Sequence, residues 1–282
     1  MIENNFTRRE FLIAAGLGMA AIARPSSGST PGPLAQNQPF TFVQVCDTQL
    51  GFGGYEHDMA TFKQTVDQIN ELKPDFVVIC GDLVETPDAK SFADFNKIKA
   101  GFTMPCYCAM GNHDAGKKPS VASLEYFRKV VGQDYYAFEH KGCTFVSVNT
   151  QLWKIPIKGE TEKLDAWLKT TLEAAVTKQT RIVVFGHHPL FIKKPDEKEQ
   201  YVNLPCAKRA ELLELFAARG VVAVLGGHLH RMLVNEYKGI QLVNAEATSK
   251  SLDRRPLGFR LWHIGDSRPF RHDFFPLAGV QT

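Results

Sequence analysis

Val222-Ala223-Val224-Leu225-Gly226-Gly227-His228-Leu229-His230 is an apolar, β-branched-rich run that stops at two glycines and then delivers two histidines. Alternate residues of an extended chain share a face, so His228 and His230 can enter one site. Glycine lets the backbone turn there and lets a ligand come close. Four earlier segments end in the same manner: Phe42-Val43-Gln44-Val45-Cys46-Asp47, Phe76-Val77-Val78-Ile79-Cys80-Gly81-Asp82, Cys108-Ala109-Met110-Gly111-Asn112-His113-Asp114 and Ile182-Val183-Val184-Phe185-Gly186-His187-His188-Pro189. Five buried strands, each ending in Asp, Asn or His, decide both the architecture and the place of the chemistry.

Between these runs the apolar period changes to that of a helix. Met59, Phe62, Val66, Ile69 and Leu72 predict a helix near 58–72, and Phe92, Phe95 and Ile98 one over 90–100. Val121, Leu124, Phe127 and Val130 predict a helix over 120–131. Leu164, Trp167, Leu168, Leu172 and Val176 predict one over 160–176, and a last helix falls at 206–219. The strands are expected at 40–46, 76–80, 106–110, 181–185 and 221–226. Three hairpins complete the chain: 135–139 with 143–149, turned at Lys141-Gly142; 231–237 with 240–246, around Lys238-Gly239; and 258–264 with 269–275. Strands alternating with helices, then a strand-rich C-terminal third, make an α/β protein. In such folds ligands sit beyond the carboxyl ends of the strands, which is where the polar residues occur.

At 282 residues and 44% hydrophobic composition the chain has ample core for one large domain or two small ones. A net charge of +3 is too mild to argue for nucleic acid or a membrane surface, but it suits a small anionic substrate. No apolar run is long enough to span a bilayer. Thr7-Arg8-Arg9-Glu10-Phe11-Leu12 opens an uncharged stretch that runs from Phe11 to Ala23. This resembles a twin-arginine export signal over residues 1–23, against the competing reading of a tail with two chance arginines. Residues 24–39, rich in Pro, Ser and Gly, read as a linker, and 40–282 as the folded domain. The expected partner is then the twin-arginine export machinery. The mature chain is expected in the periplasm or outside the cell, with no stable membrane insertion once the signal is removed. Cys46, Cys80, Cys106, Cys108 and Cys143 fall in or at the ends of apolar strands, where they act as small hydrophobes, so no disulfide is expected.

Asp47, Asp82, Asn112, His187, His228 and His230 offer carboxylate, amide and imidazole donors without a thiolate. Such mixed oxygen and nitrogen sets suit Mn, Fe, Zn, Co or Ni better than Ca or a cysteine-bound structural zinc. The donors exceed what one transition metal needs but suit two that share a bridging carboxylate. Paired metals about 3.5–4 Å apart clamp a phosphoryl group and supply hydroxide at neutral pH. A histidine outside the ligand set can protonate the leaving oxygen.

The ordered set Asp47-x-Gln49, Gly81-Asp82, Gly111-Asn112-His113-Asp114, Gly186-His187 and Gly227-His228-x-His230 resembles the calcineurin-like metallophosphoesterase superfamily. The chain is most similar to the group around the calcineurin-like phosphoesterase domain-containing protein 1, described as serine/threonine phosphatases. That likeness rests on Cys80-Gly81-Asp82-Leu83-Val84, His187-His188-Pro189-Leu190-Phe191, Tyr201-Val202-Asn203-Leu204-Pro205 and Gly227-His228-Leu229-His230-Arg231, and extends to about Ile264. The resemblance implies a four-layer αββα sandwich with two divalent or mixed-valence transition metals (Mn, Fe or Zn) at one edge. It implies that Asp82 bridges them, that Asp47, Gln49 and His230 complete one site, and that Asn112, His187 and His228 complete the other. His113 would be the general acid or would stabilise charge in the transition state, with Asp114 holding its imidazole. The superfamily's first motif is usually Asp-x-His. Here Gln49 stands at the histidine, as it does in the closer group, so that site either binds metal less tightly, prefers a harder ion or uses Gln49 through a water.

Plainer readings compete. Asp47, Asp82 and Asn112 can cap helices or stabilise turns. His188 is either a ligand's support or solvent-facing, and Asn149 and Gln151 either support the site or form a turn. Tyr201, Asn203 and Arg231 are candidate substrate contacts, against a solvated charged loop over 193–203. The expected function is dinuclear metal-dependent hydrolysis of phosphate esters on a phosphorylated small molecule or peptide, monoesters favoured and nucleic acid not. The alternatives are a diesterase or nuclease on the same core, a phosphoprotein phosphatase, or a non-catalytic binding scaffold.

Overall fold

The apolar runs become central strands because both of their faces are covered. A computed structural model describes residues 38–266 and 268–279. The twin-arginine segment and all but the last two residues of the 24–39 linker lie outside the described residues. Among the described residues eleven strands and seven helices follow in order. They are β1 Phe40–Val45, α1 Tyr55–Leu72, β2 Phe76–Cys80, α2 Ala89–Lys99, β3 Cys106–Ala109, α3 Asn112–Ala115, α4 Val121–Val130, β4 Tyr136–His140 and β5 Cys143–Ser147. After these come α5 Gln151–Lys154, α6 Glu160–Thr177, β6 Arg181–Phe185, α7 Cys206–Ala218, β7 Val221–Gly226, β8 Leu233–Tyr237, β9 Ile240–Asn244, β10 Gly258–Ile264 and β11 Arg271–Pro276.

The strands form two mixed sheets, in the orders β11-β10-β1-β2-β3 and β4-β5-β6-β7-β9-β8. The interior neighbours β1-β2-β3 and β5-β6-β7-β9 are parallel, while the three predicted hairpins supply the antiparallel edges. Alternation along each strand then sorts the side chains. Phe40 and Phe42, Phe76 and Val78, and Val183 and Phe185 pack between the sheets. Val43 and Val45, Val77 and Ile79, and Ile182 and Val184 join the core shared with the helices. The result is the αββα sandwich.

Between the sheets the Phe42 ring stacks on Phe76 at 5.2 Å and Trp262 at 5.7 Å, and meets Phe145 of the other sheet edge-on at 5.2 Å. One polar residue sits among them. Gln44 is fully buried; its amide nitrogen donates to Gly226 O at 2.9 Å across the sandwich, and its oxygen accepts from Trp262 Nε1 at 3.0 Å. Gln44 thus ties β1 to the strand that delivers the histidine pair. Gln44→Leu leaves the indole N–H without its acceptor and is expected to lower stability by about 2 kcal/mol. A urea midpoint that does not move would show that water replaces the amide.

The structure departs from the sequence reading in small ways. Helix α1 begins at Tyr55, three residues before the expected start, directly after Gly54 at φ 125°. Two one-turn helices, α3 and α5, arise where the sequence shows no helical period. Val148-Asn149-Thr150 leaves the strand early, and Gln151 starts α5. The Asn149 amide donates to Asp134, and its oxygen accepts from Gln151 N, so it builds the turn. All six cysteines are free thiols.

Candidate metal centre

Each candidate ligand leaves the C-terminal end of a strand: Asp47 and Gln49 follow β1, Asp82 follows β2, Asn112 follows β3, His187 follows β6, and His228 and His230 follow β7. The sheets bring all seven to one edge of the sandwich. Asp47, Gln49, Asp82, His187, His228 and His230 are buried. Five of them (Asp47, Gln49, Asp82, His228 and His230) have φ between 30° and 69°, half of the ten non-glycine residues with positive φ among those described. Left-handed backbone costs L-residues free energy and persists where the surroundings impose it, often at functional sites. Glycine makes the crowding possible. A methyl at Gly111 would fall 2.1 Å from Asp82 N and Oδ1, and one at Gly227 2.6 Å from Asp47 Oδ2.

The tightest group is Asp82, His187 and His228, whose ligand atoms lie within 4.8 Å of one another. His187 Nε2 is 3.1 Å from Asp82 Oδ2, from Asn112 Oδ1 and from His228 Nδ1. His187 Nδ1–H donates outward to Cys80 O at 2.8 Å, and His230 Nδ1–H to Lys250 O at 2.7 Å. A carbonyl can only accept, so each ring turns Nε2 inward, the arrangement expected behind a metal-bound histidine. His230 Nε2 lies 3.5 Å from Asp47 Oδ1, whose carboxylate also accepts from His228 N at 3.0–3.1 Å. The buried atoms Gln49 Oε1 and His228 Nε2 find no hydrogen-bond partner among the described residues. Buried polar atoms are nearly always paired. A donor set of carboxylates, amide oxygens and imidazole nitrogens that converge on one spot, with Gln49 Oε1 unpaired, fits transition-metal cations. The Asp82 carboxylate groups with His187 and His228, while Asp47 pairs with His230.

Electrostatics point the same way. Burial disfavours charge on Asp82 and His187, yet their pairing prevails: the carboxylate is held well below its usual range and the ring is pushed up to about 10. Burial, followed by the charge on His187, pushes His228 down to about 3. The pairing with Asp82 thus favours a protonated His187 in the metal-free site, and an incoming cation must displace that proton. Metal uptake near neutral pH is expected to release about one proton from this ring, with affinity rising about tenfold per pH unit between 5 and 8. Calorimetry in buffers of different ionisation enthalpy reads that proton directly; a pH-independent affinity would contradict it.

His113 stands beside the centre. Its backbone N–H donates to Asp82 Oδ1 at 2.9 Å, and its ring Nδ1 is 3.0 Å from Glu85 Oε2. The expectation that Asp114 holds this imidazole is corrected by the geometry. Asp114 is buried and turned away: Oδ1 accepts from Leu83 N and Val84 N, and Oδ2 from Gly111 N. It staples the two loops that carry Asp82 and Asn112. Burial, with the Asp82 charge close by, pushes its carboxyl up to about 8 against the pull of those backbone donors. Glu85 takes the role instead, and its carboxylate also accepts from Gln49 Nε2 at 2.8 Å. This pins the Gln49 amide with its oxygen free. An acidic residue three places after Asp82 was the available signal.

The candidate substrate contacts separate. Tyr201 lies over the site, its hydroxyl 3.3 Å from Asn112 Nδ2 and its ring 5.2 Å from the His228 ring. Asn203 does not reach it. Asn203 is buried, donates to Glu197 Oε1 at 2.6 Å and accepts from Gln200 N at 2.7 Å, so it shapes the 193–203 loop. Arg231 is exposed, and no contact among the described residues ties its side chain to the centre. His188 is buried at the wall of the cleft beside the ligands and pairs its Nδ1 with the Thr150 hydroxyl at 2.9 Å.

Residues 40–232 match the model of the calcineurin-like phosphoesterase family. The chain belongs to that family. Serine/threonine-protein phosphatase CPPED1 of Danio rerio is 33% identical to it over 249 residues, 79% of this chain and 80% of that one. The 3',5'-cyclic adenosine monophosphate phosphodiesterase CpdA of Haemophilus influenzae is 25% identical over 198 residues, 67% of each chain. A crystal structure of a dimetal phosphatase from Danio rerio superposes with a TM-score of 0.62 at 15% identity, covering 86% of this chain and 97% of that one. As a calcineurin-like phosphoesterase, the chain is a metal-dependent hydrolase of phosphoric esters. No helix of the described residues is long and apolar enough to cross a membrane.

Proposed function

We propose that this calcineurin-like phosphoesterase hydrolyses phosphate monoesters at a two-metal centre held by Asp47, Gln49, Asp82, Asn112, His187, His228 and His230. The observation that carries this is the inward donor set around His187 Nε2, made by Asp82 Oδ2, Asn112 Oδ1 and His228 Nδ1, with Gln49 Oε1 left without a partner. When bound, the metal pair supplies Lewis acidity and hydroxide near neutral pH. The chain's own residues do the rest. Asp82 orients both halves of the centre. Asn112 and Tyr201 bound the space above it. His113, held at Nδ1 by Glu85, offers its other ring nitrogen as the acid that gives a proton to the leaving oxygen. Burial of the ligands excludes water from all but the substrate side.

Monoesters are favoured because one cleft leads away from His113 and Asn112, enough for one leaving group, while Tyr201 roofs the metals. The likeness to a cyclic-nucleotide diesterase supports the rival reading. Stripped protein reloaded separately with Mn, Fe and Zn, and assayed on 4-nitrophenyl phosphate and bis(4-nitrophenyl) phosphate, decides between them. The monoester should lead by at least about tenfold in kcat/KM, and a faster diester would overturn the preference. The substrate is a phosphorylated small molecule or peptide met outside the cytoplasm, because the Arg8-Arg9 segment supports twin-arginine export. Arg8→Lys with Arg9→Lys should hold the precursor in the cytoplasm; unchanged export would remove that part of the proposal.

A further inference from the structure

The cleft beside His113, about 610 Å³, is walled by three separate pieces of chain: Pro87 after the Asp82 loop, Ile155 at the end of α5, and Tyr201 on the 193–203 loop. Ile155 is 47% exposed and Tyr201 68%, so two of the six large apolar side chains left exposed among the described residues meet at the rim of one cleft. Water gains nothing from such a pair, and clustered apolar exposure marks binding sites.

Several polar groups along the same walls are engaged within the protein, while Gln151 Oε1 is buried there without a partner. The Lys154 ammonium donates to Gln200 O at 2.5 Å and Asn203 O at 2.9 Å. His188 Nδ1 is taken by Thr150, and His113 Nδ1 by Glu85. Lys117, exposed at the mouth, supplies positive charge for an anionic ester.

Resting on the phosphomonoesterase reading above, we propose that this cleft is the leaving-group subsite and that it takes an aromatic ring, so that aryl phosphate monoesters are the preferred substrate class. In-line displacement puts the leaving oxygen opposite the attacking one. The buried ligands close the attacking side, and the His113 side opens on the cleft. Hydrolysis forms one phosphorus–oxygen bond from water and breaks the bond to the aryl oxygen. That oxygen receives the proton from His113, and the phenol and inorganic phosphate depart. The ring lies against Pro87 and Ile155 with Tyr201 above it, a contact suited to flat aromatic faces.

The test separates the cleft from the chemistry. On the manganese-loaded chain, calorimetry compares two non-hydrolysable probes, benzylphosphonate and 2-naphthylmethylphosphonate. The second ring should bind about tenfold more tightly through the added apolar contact. Ile155→Ser should reduce that advantage to about threefold or less. Turnover is then read on phenyl phosphate and 2-naphthyl phosphate, whose leaving groups are similar in acidity, with the naphthyl preference expected in KM more than in kcat. Equal affinities for the two probes, or an advantage that survives Ile155→Ser, would overturn the aromatic subsite while leaving phenyl phosphate turnover intact. Tight naphthyl binding without any turnover would sustain the subsite and overturn the hydrolase reading instead.

Discussion

Asp82→Asn is expected to lower kcat on a phosphate monoester by about a thousandfold or more and to leave the chain short of its full metal complement. The variant is chosen for what it preserves. Asp82 sits at φ 50°, a conformation that asparagine tolerates better than most residues, so the loop can keep its shape. The amide oxygen can still accept from His113 N. What disappears is the negative charge between the two ligand groups, and with it the partner that holds His187 as a cation. Metal content by mass spectrometry and kcat should therefore fall together while the thermal transition persists. A variant that keeps both metals and wild-type turnover would remove Asp82 from the bridging position.

His113→Ala should act differently. It is expected to cost about 10²–10⁴ in kcat, the usual value of a positioned acid, with metal content unchanged. The ring is more exposed than the ligands, and its Nδ1 is committed to Glu85, so its loss opens no hole in the donor set. Glu85→Gln should lower kcat less, because it weakens the grip on Nδ1 without removing the ring. Asp114→Asn should show up in stability, since that carboxylate accepts only backbone N–H groups. If His113→Ala lost metal in proportion to activity, the ring would belong among the ligands.

The contrast between Glu85 and Asp114 also shows what a sequence can and cannot carry. The strands were legible because a β-branched run ending at glycine and a polar residue has few other uses, and both sheets follow from such runs with their hairpins. The ligands were legible for the same reason: each stands within a few residues of a strand end. Which of two nearby carboxylates faces an imidazole was not. Asp114 adjoins His113 in the chain but is drawn away by three backbone N–H groups, whereas Glu85, 28 residues distant, is brought to the ring by the pairing of β2 with β3. The one-turn helices α3 and α5 escaped for a related reason, since four residues hold too little of a helical period to read and owe their form to the loops they join. Asn203 was drawn toward the site by its place near Tyr201, yet its amide is consumed by Glu197 within the loop.

The central claim is that two cations share Asp82 at the edge of the sandwich. Anomalous diffraction collected at the absorption edge of the reloaded metal tests it most directly. Two peaks about 3.5–4 Å apart, both in contact with Asp82, one beside Asn112, His187 and His228 and the other beside Asp47, Gln49 and His230, is the predicted result. A single peak, or peaks that do not touch Asp82, would contradict the account.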